Sequence, residues 1–246
     1  MEERETGMVR LLDDLRKMSK LREYLKRMQT FKHNPEGNPV PVKIWLSGNS
    51  NSGKSTLREN LAKLLGFDDF YVGDVFRNRA RIKGVPIHEF YAEIEKEEEM
   101  AIDREWINLM LEHPRIIIEG RMAPWIDEVS KRLGLPLKDW KGTLKISLFL
   151  SVDPIEGAKR ALGREENSRK TREEMIAENI GRAREEQEHY RSLYGIPHHL
   201  DTKARRGNER VFDFVIDTTN QSPEAVLNMA HKCIAHRVQY FILGRL

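Results

Sequence analysis

An apolar stretch, a glycine-bounded octapeptide and a helical segment follow one another at residues 42–65, and few folds accommodate that succession. Val42-Lys-Ile-Trp-Leu-Ser47 reads as a buried strand, and Lys54-Ser-Thr-Leu-Arg-Glu-Asn-Leu-Ala-Lys-Leu-Leu65 reads as a helix that starts near Gly53. Between them, Gly48-Asn-Ser-Asn-Ser-Gly-Lys-Ser55 has the spacing G-x-x-x-x-G-K-[ST] of a phosphate-binding loop. Glycines let the backbone wrap closely around an anion, so that successive N–H groups and the helix N-terminus point at phosphate oxygens. All of Gly48, Asn49, Ser50, Asn51, Ser52, Gly53, Lys54, Ser55 and Thr56 are candidate contacts to a nucleoside triphosphate. Lys54 is expected at the β- and γ-phosphates, and the Ser55 hydroxyl at Mg²⁺.

The rest of the chain supplies the strands and helices that such a loop requires. Apolar segments at 69–73, 115–119, 144–151 and 211–217 alternate with helical patterns that open near 74, run over about 87–112, follow Trp125, and run over about 154–194 and 223–237. Near-continuous apolar strands between helices predict an α/β fold with a five-stranded parallel sheet covered by helices on both faces. Ligands of such sheets lie at the carboxyl ends of the strands. That rule places Gly48–Ser55, Asp74–Arg77, Glu119–Arg121 and the segment from Asp153 on one rim.

Before the first strand, Met8, Leu11, Leu12, Leu15, Met18, Leu21, Leu25 and Met28 recur at helical spacing, so residues 1–30 read as an amphipathic helical extension. Prolines and a glycine at 31–41 mark a linker, and the main domain is expected over 42–238. Packing of the 8–28 stripe on its own domain is the first expectation, with self-association or a protein partner as alternatives. The formal charge of +3 over 246 residues argues against a general nucleic-acid binder. One cysteine excludes an internal disulfide, and no stretch of 18 apolar residues spans a membrane, so a cytoplasmic setting is expected. No Asn-Lys-x-Asp is present for guanine, and no transporter-type signature follows the loop.

Arginine is concentrated where two polyanions would meet. Arg160, Arg164, Arg169, Arg172, Arg182 and Arg184 lie between Lys159 and Arg191. Guanidinium forks bind phosphate bidentately and offset repulsion between donor and acceptor. Most of these arginines are expected to pair with glutamates on a solvated helix, and a few to face the cleft as part of a lid over about 160–195.

These residues resemble the archaeal-like cytidylate kinases among the nucleoside monophosphate kinases. The likeness spans roughly 42–232. It rests on the phosphate loop, Val72-Gly-Asp-Val-Phe-Arg77, Ala101-Ile-Asp-Arg104, Ile118-Glu-Gly-Arg-Met-Ala123 and Trp125. Further on it rests on Arg160, Arg164-Glu165, Arg182-Ala-Arg184-Glu-Glu, Tyr190, Tyr194-Gly-Ile196 and Val215-Ile-Asp-Thr218. The resemblance implies ATP as phosphoryl donor with Mg²⁺, CMP or dCMP as acceptor, and mobile acceptor-binding and lid segments. It implies that Arg77 and Arg121 clamp the acceptor phosphate and that Asp74 orients the acceptor or opens its helix. Glu119 with Gly120 would serve Mg²⁺ or the acceptor, and Asp103 with Arg104 would read the cytosine edge, exposed helix charges being the other reading. Arg160 and Arg164 would flank the donor, while Arg182 and Arg184 would reach the transferred group. Lys54, Arg121, Arg160, Arg182 and Arg184 are thus the catalytic candidates.

The N-terminal 40 residues, the basic insert at 198–210, Met122 and Pro124 depart from the usual pattern. His198 and His199 are expected to be solvent-exposed rather than metal ligands. Two rival functions are a kinase acting on AMP, UMP or a small metabolite, and a non-catalytic ATP-binding module that docks protein or RNA.

Overall fold

The computed structural model describes residues 40–135, 142–164 and 170–242. The helix expected at 1–30, most of the linker, and residues 165–169 of the expected lid lie outside the described residues. Everything below belongs to the second of the chain's two units, Val42–Leu246.

Five strands form one sheet: β1 (Val42–Gly48), β2 (Asp68–Tyr71), β3 (Arg115–Glu119), β4 (Leu144–Ser151) and β7 (Phe214–Asp217). Their order is β2-β3-β1-β4-β7, and every neighbouring pair is parallel. Central β1 is buried along its whole length and is mostly apolar without strict alternation, Lys43 and Ser47 being buried with the apolar residues. The register sets Leu46 opposite Glu119, Tyr71 opposite Glu119, Gly48 opposite Leu150 and Ser151 opposite Asp217. The carboxyl ends of all five strands therefore share one rim.

Helices follow the strands as α1 (Lys54–Leu65), α2 (Val72–Lys83), α3 (Ile87–Glu93), α4 (Lys96–Glu112), α5 (Ile126–Arg132), α6 (Pro154–Leu162), α7 (Arg172–Tyr194) and α8 (Pro223–Ile242). On one side of the sheet, Trp45, Ile116, Ile118 and Phe149 pack with Trp106 and Met110 of α4, Val129 of α5 and Leu193 of α7. The other side is covered by α1 and α8, which touch each other and the sheet. Local signals set the ends of the long helices. Asp153 caps α6 by accepting the Ile155 and Glu156 N–H groups, and Thr171 with Glu174 forms a capping box at α7.

The structure corrects four expectations. The segment 87–112 is two helices, because Ile94 and Glu95 are extended and the chain bends there without glycine or proline. The bend folds Phe90 onto Phe76, Ala80 and Ile102, while Glu97, Glu98 and Glu99 favour a fresh N-terminus through the helix dipole. The last strand begins at Phe214 rather than Val211, since the Asp213 carboxylate accepts the Ser147 N–H that a ladder bond would have used. The last helix runs on to Ile242.

The fourth correction concerns the insert. It contains a short hairpin, β5 (Arg205–Arg206) with β6 (Glu209–Arg210), and Arg206 is anchored to Asp127, to both Glu128 oxygens and to the Pro124 carbonyl. The Trp125 indole donates to the His199 carbonyl at 3.0 Å. His199 is consequently buried, 1 % exposed, whereas His198 is exposed.

Candidate active site

Chain geometry at the end of β1 builds the phosphate loop. Gly48 has φ 143°, and a Cβ there would lie 2.1 Å from the Leu150 carbonyl oxygen of the adjacent strand. Gly53 has φ 87° and turns the chain into α1. Within the loop, Ser52 donates to the Asn49 carbonyl at 2.9 Å, and the Asn49 side chain accepts from the Val152 N–H at 3.4 Å. Asn51, at φ 60°, reaches Asn179 of α7 at 3.5 Å. Thr56 is exposed on the first turn of α1.

Lys54 folds its ammonium back on the loop, donating to Asn49 O at 2.6 Å and Gly48 O at 3.2 Å. Burial first, and then the Arg121 charge, push it down to about 7, against the pull of Glu119 and Glu186. The Ser55 hydroxyl donates to Glu119 Oε1 at 3.0 Å. Burial raises the Glu119 carboxyl, while Lys54, Ser55 and Arg58 oppose that rise. Glu119 Oε2 has no hydrogen-bond partner among the described residues, and Arg58 Nη1 stands 3.7 Å from it.

Arg121 reaches the same loop from the end of β3. It donates to Gly48 O at 2.5 Å and Ser50 Oγ at 3.0 Å, and its Nε lies 3.0 Å from Glu186 Oε2. Arg182 holds the other Glu186 oxygen at 2.9 Å. Although burial disfavours its charge, Arg121, His199 and Arg182 hold Glu186 down at about 2. Gly120 turns the chain beside them. Its N–H donates to Leu46 O at 3.0 Å, and a Cβ would crowd Val72.

On the flank formed by β2 and α2, Arg77 donates to Asp74 at 3.1 Å and to the Tyr71 hydroxyl at 3.3 Å. Its guanidinium stands 4.9 Å from the Tyr71 ring centre, with that of Arg58 at 5.5 Å. Asp74 does not cap α2, whose N-cap is Tyr71.

Other sequence candidates are placed elsewhere. Asp103, only 5 % exposed, accepts from the Trp106 indole at 2.6 Å and from the Tyr194 hydroxyl. Arg104 donates to the Leu133 carbonyl at 3.2 Å. Asp103 has both oxygens engaged within the protein, which corrects the expectation of an exposed charge there, whereas Arg104 is exposed. Burial pushes Asp103 up to about 6, against the hydrogen bonds from Tyr194 and Trp106. Arg160 directs its guanidinium to Thr218 Oγ1 and to the carbonyls of Thr218 and Thr219. Thr218 Oγ1 in turn lies 3.1 Å from Ser52 O, so Arg160 braces the loop rather than offering an open fork. Arg164 is exposed just past α6, its backbone N–H on Ala161 O. Arg184 does not join Arg182; it faces a depression of about 440 Å³ lined by Ile180, Gln187, His198 and Leu200.

Sequence reasoning missed Arg58, Tyr71, Glu186 and His199. Arg58 was one helical turn beyond Ser55, a usable signal. Glu186 lay in a run of mixed charge, and His199 depended on how the insert folds.

The assembled rim carries a cation, a hydroxyl–carboxylate pair and guanidinium groups around the phosphate loop, which suits phosphoryl transfer. Among the described residues no helix is long and apolar enough to cross a membrane. A family model described as AAA domain matches residues 44–187. A cytidylate kinase of Thermococcus kodakarensis is 32 % identical over 195 residues, covering 78 % of this chain and 88 % of its own length. One from Pyrococcus abyssi is also 32 % identical over 195 residues, covering 78 % of this chain and 93 % of its own. A solved gluconokinase structure from Sinorhizobium meliloti 1021 has TM-score 0.53 at 14 % identity, over 84 % of this chain and 99 % of that one, a likeness of fold alone. With the loop, the parallel sheet and these relatives together, the chain belongs to the cytidylate kinase family.

Proposed function

We propose that this chain transfers the γ-phosphoryl group of ATP to CMP or dCMP, giving ADP and the cytidine diphosphate, with Mg²⁺ required. The observation that carries the reading is the convergence of Lys54, Ser55–Glu119 and Arg121 on one loop in a chain about a third identical to cytidylate kinases. The choice of cytosine rests on those relatives.

Positioning and charge neutralisation do the chemical work, and no covalent intermediate on the protein is needed. Lys54 leaves the Gly48 and Asn49 carbonyls and takes the β- and γ-phosphates of the donor. Arg121, fixed on the loop, stands where donor and acceptor phosphates meet. Arg77, steered by Asp74 and Tyr71, holds the acceptor phosphate, and Arg182 closes over the transferred group. Arg160 keeps the Thr218 segment against the loop on the donor side.

Residues suited to Mg²⁺ are Ser55 and Glu119, whose buried Oε2 is a hard oxygen donor with no hydrogen bond among the described residues. Among the described residues no group of three or more His, Cys, Asp or Glu gathers to hold a metal by itself. That fits an ion completing its shell with phosphate oxygens and water. Once bound there, Mg²⁺ neutralises charge on the phosphates. A cytoplasmic site of action accords with two nucleotide substrates.

Coupled ADP release with Mg-ATP against CMP, dCMP, UMP, AMP and GMP tests the reading. Turnover stimulated by CMP and dCMP above the others is expected. Equal or greater stimulation by another monophosphate would replace the acceptor, and no stimulation by any would remove the kinase assignment.

A further inference from the structure

Two arginines from distant elements share a single carboxylate beside the phosphate loop. Arg121 Nε lies 3.0 Å from Glu186 Oε2, and Arg182 Nε lies 2.9 Å from Glu186 Oε1. Arg121 is fixed on Gly48 and Ser50 and is 15 % exposed, whereas Arg182 is 59 % exposed and has no other hydrogen-bond or ion-pair partner among the described residues. Next to this trio stands His199, buried, with neither ring nitrogen hydrogen-bonded. Its Nε2 is 3.6 Å from Glu186 Oε2, too long for a full hydrogen bond and less than 1 Å from making one. The Tyr190 ring packs edge-on against the imidazole, 4.9 Å between centres.

We propose that Glu186 is a positioning residue that stands in for substrate phosphate between Arg121 and Arg182, and that His199 takes up its carboxylate when a phosphate displaces it. A carboxylate and a phosphate present the same pair of oxygens to a guanidinium fork, so one can replace the other without rebuilding the site. The cations Lys54, Arg121 and Arg182 crowd the loop, and Glu186 offsets part of their mutual repulsion. An arriving triphosphate brings more charge than Glu186 does and draws the exposed Arg182 across. Glu186, still largely buried, then needs a new partner, because an unpaired carboxylate in that position is costly. His199 is the group within reach, and its unbonded ring nitrogens give the buried imidazole a role. The insert at 198–210, pinned by Arg206 and Trp125, delivers it there. This inference rests on the kinase reading only for the identity of the anion.

The experiment is calorimetric titration of the full chain with tripolyphosphate, without divalent metal. Glu186→Gln keeps the shape and removes the competing charge. It is expected to bind tripolyphosphate about tenfold or more tightly than the wild type, the scale of one charge-assisted hydrogen bond. Unchanged or weaker binding by Glu186→Gln would overturn the proposal. His199→Asn is expected to weaken binding several-fold in the wild-type background and to change nothing in the Glu186→Gln background. An equal effect of His199→Asn in both backgrounds would remove His199 from the exchange. The Glu186→Gln comparison decides the stand-in role by itself if the histidine variant does not fold. Absence of CMP phosphorylation by the wild type would contradict the proposed function and leave this result standing.

Discussion

Ser55 and Glu119 come from different elements, the first turn of α1 and the end of β3, yet the serine hydroxyl meets the carboxylate at 3.0 Å. The parallel register makes this meeting possible, since it sets Glu119 opposite Leu46, two residues before the loop opens. Arg58, one turn beyond Ser55, pairs with Asp69 at 2.9 Å and brings its Nη1 to 3.7 Å from Glu119 Oε2.

Glu119→Gln should therefore impair the metal-dependent step more than nucleotide binding. The expected result is a fall in kcat of about 10²-fold, with metal-free ATP affinity kept within a few-fold. Steady-state rates across a Mg²⁺ series, paired with metal-free titration, read both. A kcat equal to wild type would remove Glu119 from the metal site.

Lys54, pushed down to about 7 by burial and the Arg121 charge, should regain its proton when phosphate binds. Metal-free ATP binding at pH 8 should then take up protons, and affinity should fall as pH rises above about 7. Titration in buffers of different ionisation enthalpy measures the uptake. In turnover, Lys54→Ala should lose about 10²–10³-fold or more through missing charge stabilisation. Unaltered turnover in that variant would contradict the catalytic role.

The Glu186 carboxyl titrates near 2 in the folded chain against an ordinary value of 4.5. A depressed folded value contributes stability that is present above 4.5 and is lost as pH falls through 2. The stability difference between wild type and Glu186→Gln should thus shrink steadily from pH 4.5 to 2. Denaturant unfolding at a series of pH values tests this, and a constant difference would mean that Glu186 is not ion-paired in solution.

Gly48→Ala places a methyl 2.1 Å from the Leu150 carbonyl at a φ that side chains avoid. The loss of stability should lie at or above the upper end of the ~0.5–3 kcal/mol common for single substitutions. Thermal unfolding checks it, and a melting point equal to wild type would show that β1 and β4 separate freely at the loop.

Much of this architecture is legible in the sequence. β4 begins and ends where its mostly apolar run does, because a strand between two others buries most of its side chains. The loop and its helix were legible because glycine placement fixes backbone geometry locally. The break at Ile94–Glu95 was not, since it answers to the burial of Phe90 against α2 rather than to any breaker residue. Asp103 looked like a surface charge on α4, and only the fold brings Tyr194, 91 positions away, to its carboxylate. Glu186 was hidden among Glu185 and Glu188 on a helix whose charges mostly do pair with one another, as Arg172–Glu173 and Arg191–Glu188 do. Its partner Arg121 lies on another element, and tertiary contacts of that kind leave no periodic trace.

The most direct test of the kinase assignment is to follow the phosphoryl group itself. Wild-type chain, Mg²⁺, CMP and ATP labelled at the γ-position are incubated, and the products are separated. The label is expected in the β-phosphate of CDP, with none transferred when CMP is omitted or when Lys54→Ala replaces the wild type. Label released only as inorganic phosphate, at a rate indifferent to CMP, would contradict the assignment.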